Sequence, residues 1–269
     1  MSPPNLPPRY QIRPLSLIHT PWANALTMHA TLFSSPVWSN LEAFSNSNPT
    51  TKTQKCYALY KAATRLISHQ ITSGLSLGVF DTQYQFTYPD SAEISGKLHW
   101  DLDDETASGE TLRKQMDFPL VSVALAYDSF TPFDEQTVKP VMEVFPQLAV
   151  RNRVLNERDR RDAKEWQAKG PGEVMFRNGT ATKVGEEGKG FMKALAWEMM
   201  ERAARGGWRG VQIVCLHDAV SHVWTHPPEP FRGEVVARCN CAGDEDGELR
   251  EAFRGSGQEM TKVYVTLRS

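Results

Sequence analysis

The sequence has few cysteines, almost no net charge and no long apolar run. Four cysteines in 269 residues are too few for a disulfide framework. The close pair Cys239 and Cys241 lacks the second ligand pair that a structural zinc site needs. A formal net charge of −2 gives no reason to expect nucleic acid or an anionic membrane as a partner. No apolar run approaches the length of a membrane span. A small molecule is therefore the expected partner, no metal is expected, and the oligomeric state stays open.

The first residues lack the charged and then apolar pattern of a secretion signal, so we expect a cytoplasmic protein. The Pro-rich residues 1–8 predict a flexible lead. Nothing in the middle of the chain resembles a linker, and 269 residues with 40% hydrophobic content suffice for one domain with a sizeable core. The sequence thus predicts a single domain over residues 9–269.

The most informative stretch, residues 173–216, has the pattern of a strand, a glycine-rich turn, a helix, a short loop and a second strand. Strand character extends over residues 173–184, and from Phe191 apolar residues recur at helical spacing. Residues 206–207, both glycine, end that helix as glycines beyond a last turn do. Residues 211–216 form a short apolar run, which is typical of a buried strand.

The turn within this stretch has the properties of an anion-binding site. Small residues let a phosphate approach the backbone, and the free N–H groups at a helix start point at it. Lysines on both sides add positive charge. A tight turn in an ordinary βαβ unit is the alternative interpretation of the same glycines. The candidate ligand-binding residues are Lys183, Val184, Gly185, Gly188, Lys189, Gly190 and Phe191.

Apolar periodicity predicts the other elements of the chain. Strands are expected at residues 10–13, 75–80, 84–88, 97–100, 118–130, 233–239 and 262–267. Helices are expected at residues 21–32, 54–73, 135–155 and 218–224. Polar or charged composition predicts surface loops, the third of them mobile, at residues 45–53, 91–109, 156–172 and 242–257. This order favours an α/β (mixed α+β) fold, in which a central twisted mixed sheet is flanked by helices on both faces, with an N-terminal helical elaboration.

The order of these elements, with VGEEGKGFMKAL between strand and helix, resembles the GNAT superfamily of acyl-CoA-dependent N-acyltransferases. In that family a Q/R-x-x-G-x-G/A turn holds the pyrophosphate of coenzyme A on its backbone N–H groups. Gly188 and Gly190 match the two small positions, whereas Gly185 stands where the family has Gln or Arg. Residues 177–231 also resemble a group of fungal GNAT-like proteins, which points to a role in fungal secondary metabolism.

The resemblance implies where a co-substrate would lie. The strands at residues 173–184 and 209–216 would be neighbours that separate at their ends, and the pantetheine arm would lie between them. The thioester of acetyl-CoA or of another acyl-CoA would then lie near residues 175–178 and 215–218. The implied activity is transfer of the acyl group to an amine or hydroxyl group of a small molecule.

The family's next motif, N-x-x-A-x-x-x-Y, supplies a tyrosine that protonates the departing thiolate. Its positions fall here on His217, Val220 and Trp224. An indole does not titrate in the working range, so Trp224 is not a replacement for that acid. The titratable neighbours His217 and Asp218 become catalytic candidates. The alternative is structural, with Asp218 capping the helix and His217 at a strand end.

Three other side chains are candidates near the cleft. Glu173 is either a general base or an exposed residue at a strand start. Arg177, in the middle of the strand, must be paired if it is buried, and its charge suits coenzyme A or an acidic substrate. Tyr127 is an alternative general acid. The catalytic candidates are thus His217, Asp218 and Glu173, and the substrate-binding candidates are Arg177, Tyr127 and Trp224.

Two further classes of function remain open. The missing tyrosine and the glycine at position 185 favour an enzyme that keeps the fold but performs acid–base chemistry without coenzyme A, such as cyclisation, isomerisation or hydrolysis. A non-catalytic ligand-binding protein is the second alternative. Titration with acetyl-CoA separates the transferase from both, because fold alone does not decide function.

Overall fold

A mixed sheet with helices on both faces organises the chain in a computed structural model, which describes residues 6–41 and 49–268. Residues 1–5 of the predicted lead and residues 45–48 of the predicted loop 45–53 lie outside the described residues. Residues 49–53 are helical rather than part of a loop. None of the helices in the described ranges is both long and apolar enough to cross a membrane.

The described strands are β1 (Tyr10–Pro14), β2 (Leu77–Asp81), β3 (Lys97–Leu98), β4 (Met116–Asp117), β5 (Leu120–Asp128), β6 (Val174–Thr182), β7 (Gly210–Cys215), β8 (Arg232–Asn240) and β9 (Glu259–Thr266). They form a seven-stranded sheet in the order β1-β2-β5-β6-β7-β9-β8 and a two-stranded sheet of β3 and β4. Within the large sheet β6 and β7 pair in parallel, and the other neighbours pair antiparallel.

The helices cover both faces of this sheet. They are α1 (Thr20–Phe33), α2 (Pro49–Thr72), α3 (Pro89–Glu93), α4 (Gly109–Lys114), α5 (Glu135–Val144), α6 (Gln147–Arg158), α7 (Ala163–Trp166), α8 (Phe191–Arg205), α9 (Asp218–Thr225) and α10 (Gly247–Ala252). A single 3-10 turn, Leu17–His19, precedes α1 within the described chain. Pro21 lies in the first turn of α1, where its missing N–H group costs nothing.

The two faces bury separate apolar cores. On the first face, α1, α2, α5 and α6 pack on side chains such as Leu120, Val123 and Leu125 of β5. On the second face, α8 and α9 pack on side chains such as Val211 and Ile213 of β7. Alternation along the strands sends successive side chains to opposite faces, which separates the two sets. The predicted fold class is therefore confirmed.

Three predicted segments differ from the structure. Residues 84–88 form no strand in the described chain, because Asp117 accepts hydrogen bonds from the backbone of Thr87 and Tyr88 and holds them in an irregular bend. The predicted loop 156–172 begins inside α6 and contains α7. The predicted solvated loop 242–257 contains α10, whose Leu249 is fully buried together with Phe253. Alternation at residues 84–88 predicts a strand, but it does not show whether a partner strand is present. In the other two segments the polar composition hides the few apolar residues that anchor a helix.

Phe253 tests the correction in the 242–257 segment. Its side chain is 0% exposed, and its ring centroid lies 5.3 Å from that of Trp38. Truncation to Ala leaves a cavity in the first-face core, so Phe253→Ala should lower the free energy of unfolding by about 3–5 kcal/mol in denaturant titration. The neighbouring exposed Glu251→Ala should change it by less than about 0.5 kcal/mol. Equal effects of the two variants would restore the interpretation of this segment as a solvated loop.

Candidate functional site

The parallel pairing of β6 and β7 ends inside the sheet. Hydrogen-bonded register runs from Val174 opposite Gly210 to Arg177 opposite Ile213, although β6 continues to Thr182 and β7 to Cys215. At the same level β6 carries a bulge, because Arg177 faces Ala126 of β5 and Thr180 faces Ala124. Two residues of β6 thus oppose one residue of β5, an irregularity found preferentially next to functional sites. The strands therefore separate where the bulge begins.

Arg177 fills this bulge with a buried guanidinium group. The residue is 5% exposed, and Nη1 donates to the carbonyl oxygens of Leu125 and, at 2.7 Å, of Gly179. Nη2 donates to the hydroxyl of Thr180, whereas Nε is buried without a partner. Within the described ranges no carboxylate pairs with it, and burial lowers its pKa to about 9. As predicted, the buried Arg177 has partners, but all of them are neutral oxygen atoms. A cation without a counter-charge therefore lies where β6 and β7 separate.

Trp224 and Cys215 lie on the same side of the sheet as Arg177. Trp224 is 1% exposed within the second-face core, and Cζ of Arg177 lies 5.8 Å from its ring centroid. Cys215 at the end of β7 is fully buried, and burial raises the pKa of its thiol to about 12. A thiol with that pKa stays protonated near neutral pH and is no nucleophile. The indole and the guanidinium are thus the side chains that the structure brings together here.

The glycine-rich turn after β6 has a backbone that is open to solvent. Gly185, Gly188 and Gly190 have φ angles of +89°, +77° and +80°, and a Cβ atom on any of them would meet no atom within 4 Å. No hydrogen bond in the described chain engages the amides of Gly188 or Gly190, whereas the amide of Lys189 closes the hydrogen-bonded turn at residues 187–188. Gly190 caps the 15-residue helix α8, which begins at Phe191. The turn therefore presents free N–H groups at the positive end of a helix dipole.

Tyr10 of β1 holds the side chains of this turn. Its hydroxyl donates to Oε2 of Glu186 at 2.8 Å and accepts from Nζ of Lys189 at 2.8 Å. Lys189 also forms an ion pair with Glu186 at 2.7 Å. The ring of Tyr10 packs edge-on against Phe191, with 4.6 Å between the centroids. The charge of Lys189 is therefore largely balanced within the turn.

Two side chains of the turn depart from the predicted anion site. Nζ of Lys183 donates to the carbonyl of Met116 at 3.0 Å, and burial lowers its pKa to about 8. The ammonium of Lys183 therefore binds the backbone of β4 and does not face the turn. Oε2 of Glu187 accepts from the amide of Gly185 at 2.6 Å, so a carboxylate of the chain itself occupies one of the turn's N–H groups.

His217 caps α9 with its side chain. Nδ1 accepts from the amide of Ala219 at 3.1 Å, and Nε2 has no hydrogen bond within the described ranges. His217 is half-buried at the end of β7, whereas Asp218 and His222 are exposed. The cap is therefore His217 rather than Asp218, which corrects the structural alternative for that pair. Because Nδ1 accepts, the ring proton lies on Nε2, which is free to donate a hydrogen bond.

Glu173 and Tyr127 lie apart from that group. Glu173 precedes β6 at the end where β6 and β7 are still paired, and its Oε2 lies 3.4 Å from Nε of Arg209. The amide of Lys169, which donates to that carboxylate, and the charge of Arg209 lower its pKa. Tyr127 packs on the first face against Phe133, with 4.2 Å between centroids, and burial raises its pKa to about 12. No side-chain hydrogen bond, ion pair or ring contact of the described residues joins either of them to Arg177 or Trp224.

Comparison with solved structures decides the fold family. The condensation domain of Ebony, in complex with β-alanyl-dopamine, matches with a TM-score of 0.54 and 9% identity, over 96% of this chain and 99% of that one. Arylalkylamine N-acetyltransferase 2 of Aedes aegypti matches with a TM-score of 0.55 and 10% identity, over 96% and 99%. The polyamine N-acetyltransferase of Drosophila melanogaster matches with a TM-score of 0.53 and 9% identity, over 95% and 98%. The chain has the GNAT fold.

The likeness is one of structure rather than sequence. No family model matches the chain, and no curated protein matches it in sequence. Identities near a tenth show the fold alone, so the chemistry must come from the residues. The described residues contain no group of three His, Cys, Asp or Glu side chains placed to hold a metal ion.

A buried charge network on the first face was missed by sequence reasoning. Asp159 pairs with Arg161 at 2.6 Å and with Lys262 at 2.8 Å, and Arg161 also donates to Gln212 at 2.8 Å. The guanidinium of Arg161 lies 4.4 Å from the ring centroid of Trp166. Gln212 and Lys262 come from the distant strands β7 and β9. Only the pair Asp159 and Arg161 is close enough in sequence to be recognised as an ion pair. In this GNAT fold the network anchors residues 159–166 over the sheet beside the parting strands.

Asp159 tests this network through the pH dependence of stability. Burial alone would raise its pKa, but hydrogen bonds and charges from Arg161 and Lys262 outweigh burial and hold it at about 2. Its contribution is therefore present above its unfolded pKa of about 3.9 and is lost as pH falls toward 2.

Asp159→Asn leaves two cations without a counter-charge and should lower the free energy of unfolding by about 3 kcal/mol at pH 7. Thermal unfolding should show a Tm difference from the parent that is constant between pH 7 and about 5 and narrows below about 4. The exposed Asp103→Asn is the matched control and should leave Tm unchanged. A Tm difference that does not depend on pH would contradict the assigned role.

Proposed function

We propose that the protein is an acyl-CoA-dependent acyltransferase, which moves an acetyl or other acyl group to an amine or hydroxyl group of a small molecule. One observation carries the proposal: β6 parts from β7 after Arg177 and then runs directly into a glycine-rich turn with free amides at the start of α8. A groove between strands that leads to a helix N-terminus suits a long ligand with a phosphate at one end. Coenzyme A has that form.

The turn fits the pyrophosphate of coenzyme A. Left-handed glycines leave open space above the backbone, and the amides of Gly188 and Gly190 are unengaged in the described chain. In this proposal those amides and the dipole of α8 hold the phosphates, and Glu187 swings away from the amide of Gly185 when they bind. The pantetheine arm follows the separated edges of β6 and β7.

The acyl group then lies at the bulge beside Arg177. The amine or hydroxyl attacks the thioester carbon directly, and a backbone N–H of residues 173–178 polarises the carbonyl oxygen. The departing thiolate carries a negative charge, which the buried guanidinium of Arg177 stabilises without donating a proton. This role replaces the tyrosine acid whose position Trp224 occupies.

His217 is the proposed proton acceptor. It lies at the end of β7 and takes the proton on Nδ1 once that atom releases the amide of Ala219, whereas Glu173 is paired with Arg209 at the opposite end of the ladder. Asp218 is exposed to solvent and serves at most as a neighbour of His217. An imidazole nitrogen that has no hydrogen bond can take the proton of an attacking amine.

The acceptor is proposed to be an amine that carries an aromatic ring rather than a polyamine. Tyr127, Phe176 and Trp166 line the first face beside the parting strands, with ring centroids of Tyr127 and Phe176 at 5.7 Å. Next to them Arg161 and Lys262 share the one carboxylate of Asp159, which leaves a positive surplus. That surplus disfavours a multiply charged cation. Two of the matching structures carry the names of these two acceptor classes, an arylalkylamine N-acetyltransferase and a polyamine N-acetyltransferase.

A second candidate function is acid–base chemistry without coenzyme A. Arg177 engages the backbone oxygens of Leu125 and Gly179 inside the groove, and Glu187 engages the amide of Gly185 in the turn. Both contacts occupy groups that coenzyme A would use. A role in fungal secondary metabolism and a cytoplasmic location stay predictions under either function.

Titration with coenzyme A tests the phosphate turn. A valine at Gly188 or Gly190 adds a branched side chain where the phosphates must approach, so Gly188→Val and Gly190→Val should each weaken binding at least about ten-fold. Gly74→Val is the matched control, because Gly74 has φ of +74° and equally open surroundings but follows α2 rather than β6. It carries the same backbone strain and should bind as the parent does. Parent-like binding by the turn variants would place the phosphate elsewhere.

His217→Gln tests the proton acceptor. Glutamine keeps hydrogen-bonding capacity but does not titrate, so kcat should fall by roughly two to four orders of magnitude and the low-pH limb of the rate profile should disappear. His222→Gln, an exposed change on the same helix, is the control and should leave both unchanged. A purely capping role predicts a lower Tm with parent-like turnover, and that result would retire His217 as the catalytic residue.

A further inference from the structure

A cavity of about 690 Å³ lies over β1 and β2, at the start of α1. Aromatic rings form much of its wall, and they belong to Trp22, Tyr60, Phe80 and Trp100. In the sheet β5 separates β2 from β6, so the cavity is apart from the groove between β6 and β7. Small-molecule sites usually enclose roughly 300–1,000 Å³. The cavity is therefore a separate space of the size that a ligand with fused rings needs.

Large apolar side chains are exposed at the mouth of this cavity. Ile18 is 74% exposed and Ile94 is 63% exposed, and both line the cavity. Leu17, the neighbour of Ile18, is 58% exposed. Scattered exposed apolar residues need no explanation, but a cluster at the rim of a ring-lined cavity marks a binding site.

The wall opposite α1 is held in an uncommon backbone conformation. Ser95 has φ of +63°, and Gly96 has φ of +132°. A Cβ atom on Gly96 would lie 2.8 Å from the ring of Trp22, so only glycine allows this approach. Trp22 in turn stacks on Phe118 with 5.3 Å between centroids and 8° between planes. The aromatic surface is thus fixed from both sides.

The polar groups at the cavity are hydrogen-bond donors. Cζ of Arg13 lies 5.4 Å from the ring centroid of Phe80, and its guanidinium donates to the neutral side chain of Gln11. In the part of the chain that the structure describes, no carboxylate pairs with Arg13. Nδ1 of His19 accepts from the amide of Ser16 at 3.0 Å, which leaves the ring proton on Nε2. Burial and, next, the charge of Arg13 lower the pKa of His19, so the ring is a neutral donor near pH 7.

We propose that this cavity binds a flat aromatic ligand that carries a carboxylate. The rings pack against Trp22 and Phe80, and the carboxylate accepts hydrogen bonds from Arg13 and from Nε2 of His19. Lys97, another cation of the wall, is already paired with Asp90 at 2.7 Å, so Arg13 is the charge that remains for the ligand. The site takes no part in the proposed acyl transfer and stands whether or not coenzyme A binds.

Calorimetric titration of the full chain without coenzyme A tests the proposal, with 2-naphthoate and its neutral counterpart 2-naphthamide as probes. The parent should bind one equivalent of 2-naphthoate at least about ten-fold more tightly than 2-naphthamide. Arg13→Gln should remove this preference, because the amide cannot form a charge-assisted pair. Arg232→Gln is the matched control, an exposed arginine on the opposite edge strand β8, and should retain the preference.

A second variant tests the position of the site. Ile18→Glu places a carboxylate at the mouth without touching the core and should abolish binding of 2-naphthoate. Phe130→Glu, at another exposed apolar residue, should bind as the parent does. The proposal is overturned if the parent binds neither probe, if it binds both equally, or if Arg13→Gln keeps the preference. A fall in sedimenting mass on Ile18→Glu also overturns it, because a second copy of the chain would then cover the cavity.

Discussion

The candidate site depends on one interruption in the hydrogen bonding of the sheet. Parallel pairing stops at Arg177 and Ile213, and the bulge that follows turns backbone carbonyls of β5 and β6 toward the guanidinium of Arg177. Without the interruption β6 and β7 would be a closed ladder with no free edge for a ligand. Without the cation the carbonyls would be buried without donors. The groove and its charge are therefore two results of the same irregularity.

Much of the fold could be predicted from local sequence because its signals are local. The helix from Phe191 has apolar residues on one face and glycines beyond both ends, and those features do not depend on distant partners. The segments 156–172 and 242–257 were misjudged for the opposite reason. Arg158 contacts Asp244, and Arg161 contacts Gln212, although the partners are far apart in sequence. Such pairs cannot be predicted from local composition.

The site was predictable to a smaller extent. The resemblance to a known family predicted that the glycine-rich turn, Arg177 and His217 lie close to one groove. It did not predict the local contacts: Lys183 turns away to Met116, because its long side chain reaches a carbonyl on the first face. A lysine beside a turn can point to either face of the sheet, and spacing alone does not distinguish them.

The contacts of Tyr10 make the geometry of the phosphate turn a property of the whole chain. A residue of the first strand fastens Glu186, Lys189 and Phe191, which follow about two thirds of the way along the sequence. During synthesis the turn is complete only once this distant pair of segments has met across the sheet edge. Closing so long a loop costs chain entropy, so we expect the turn to form late in folding. A helix and its glycines transplanted into another protein would lack this support.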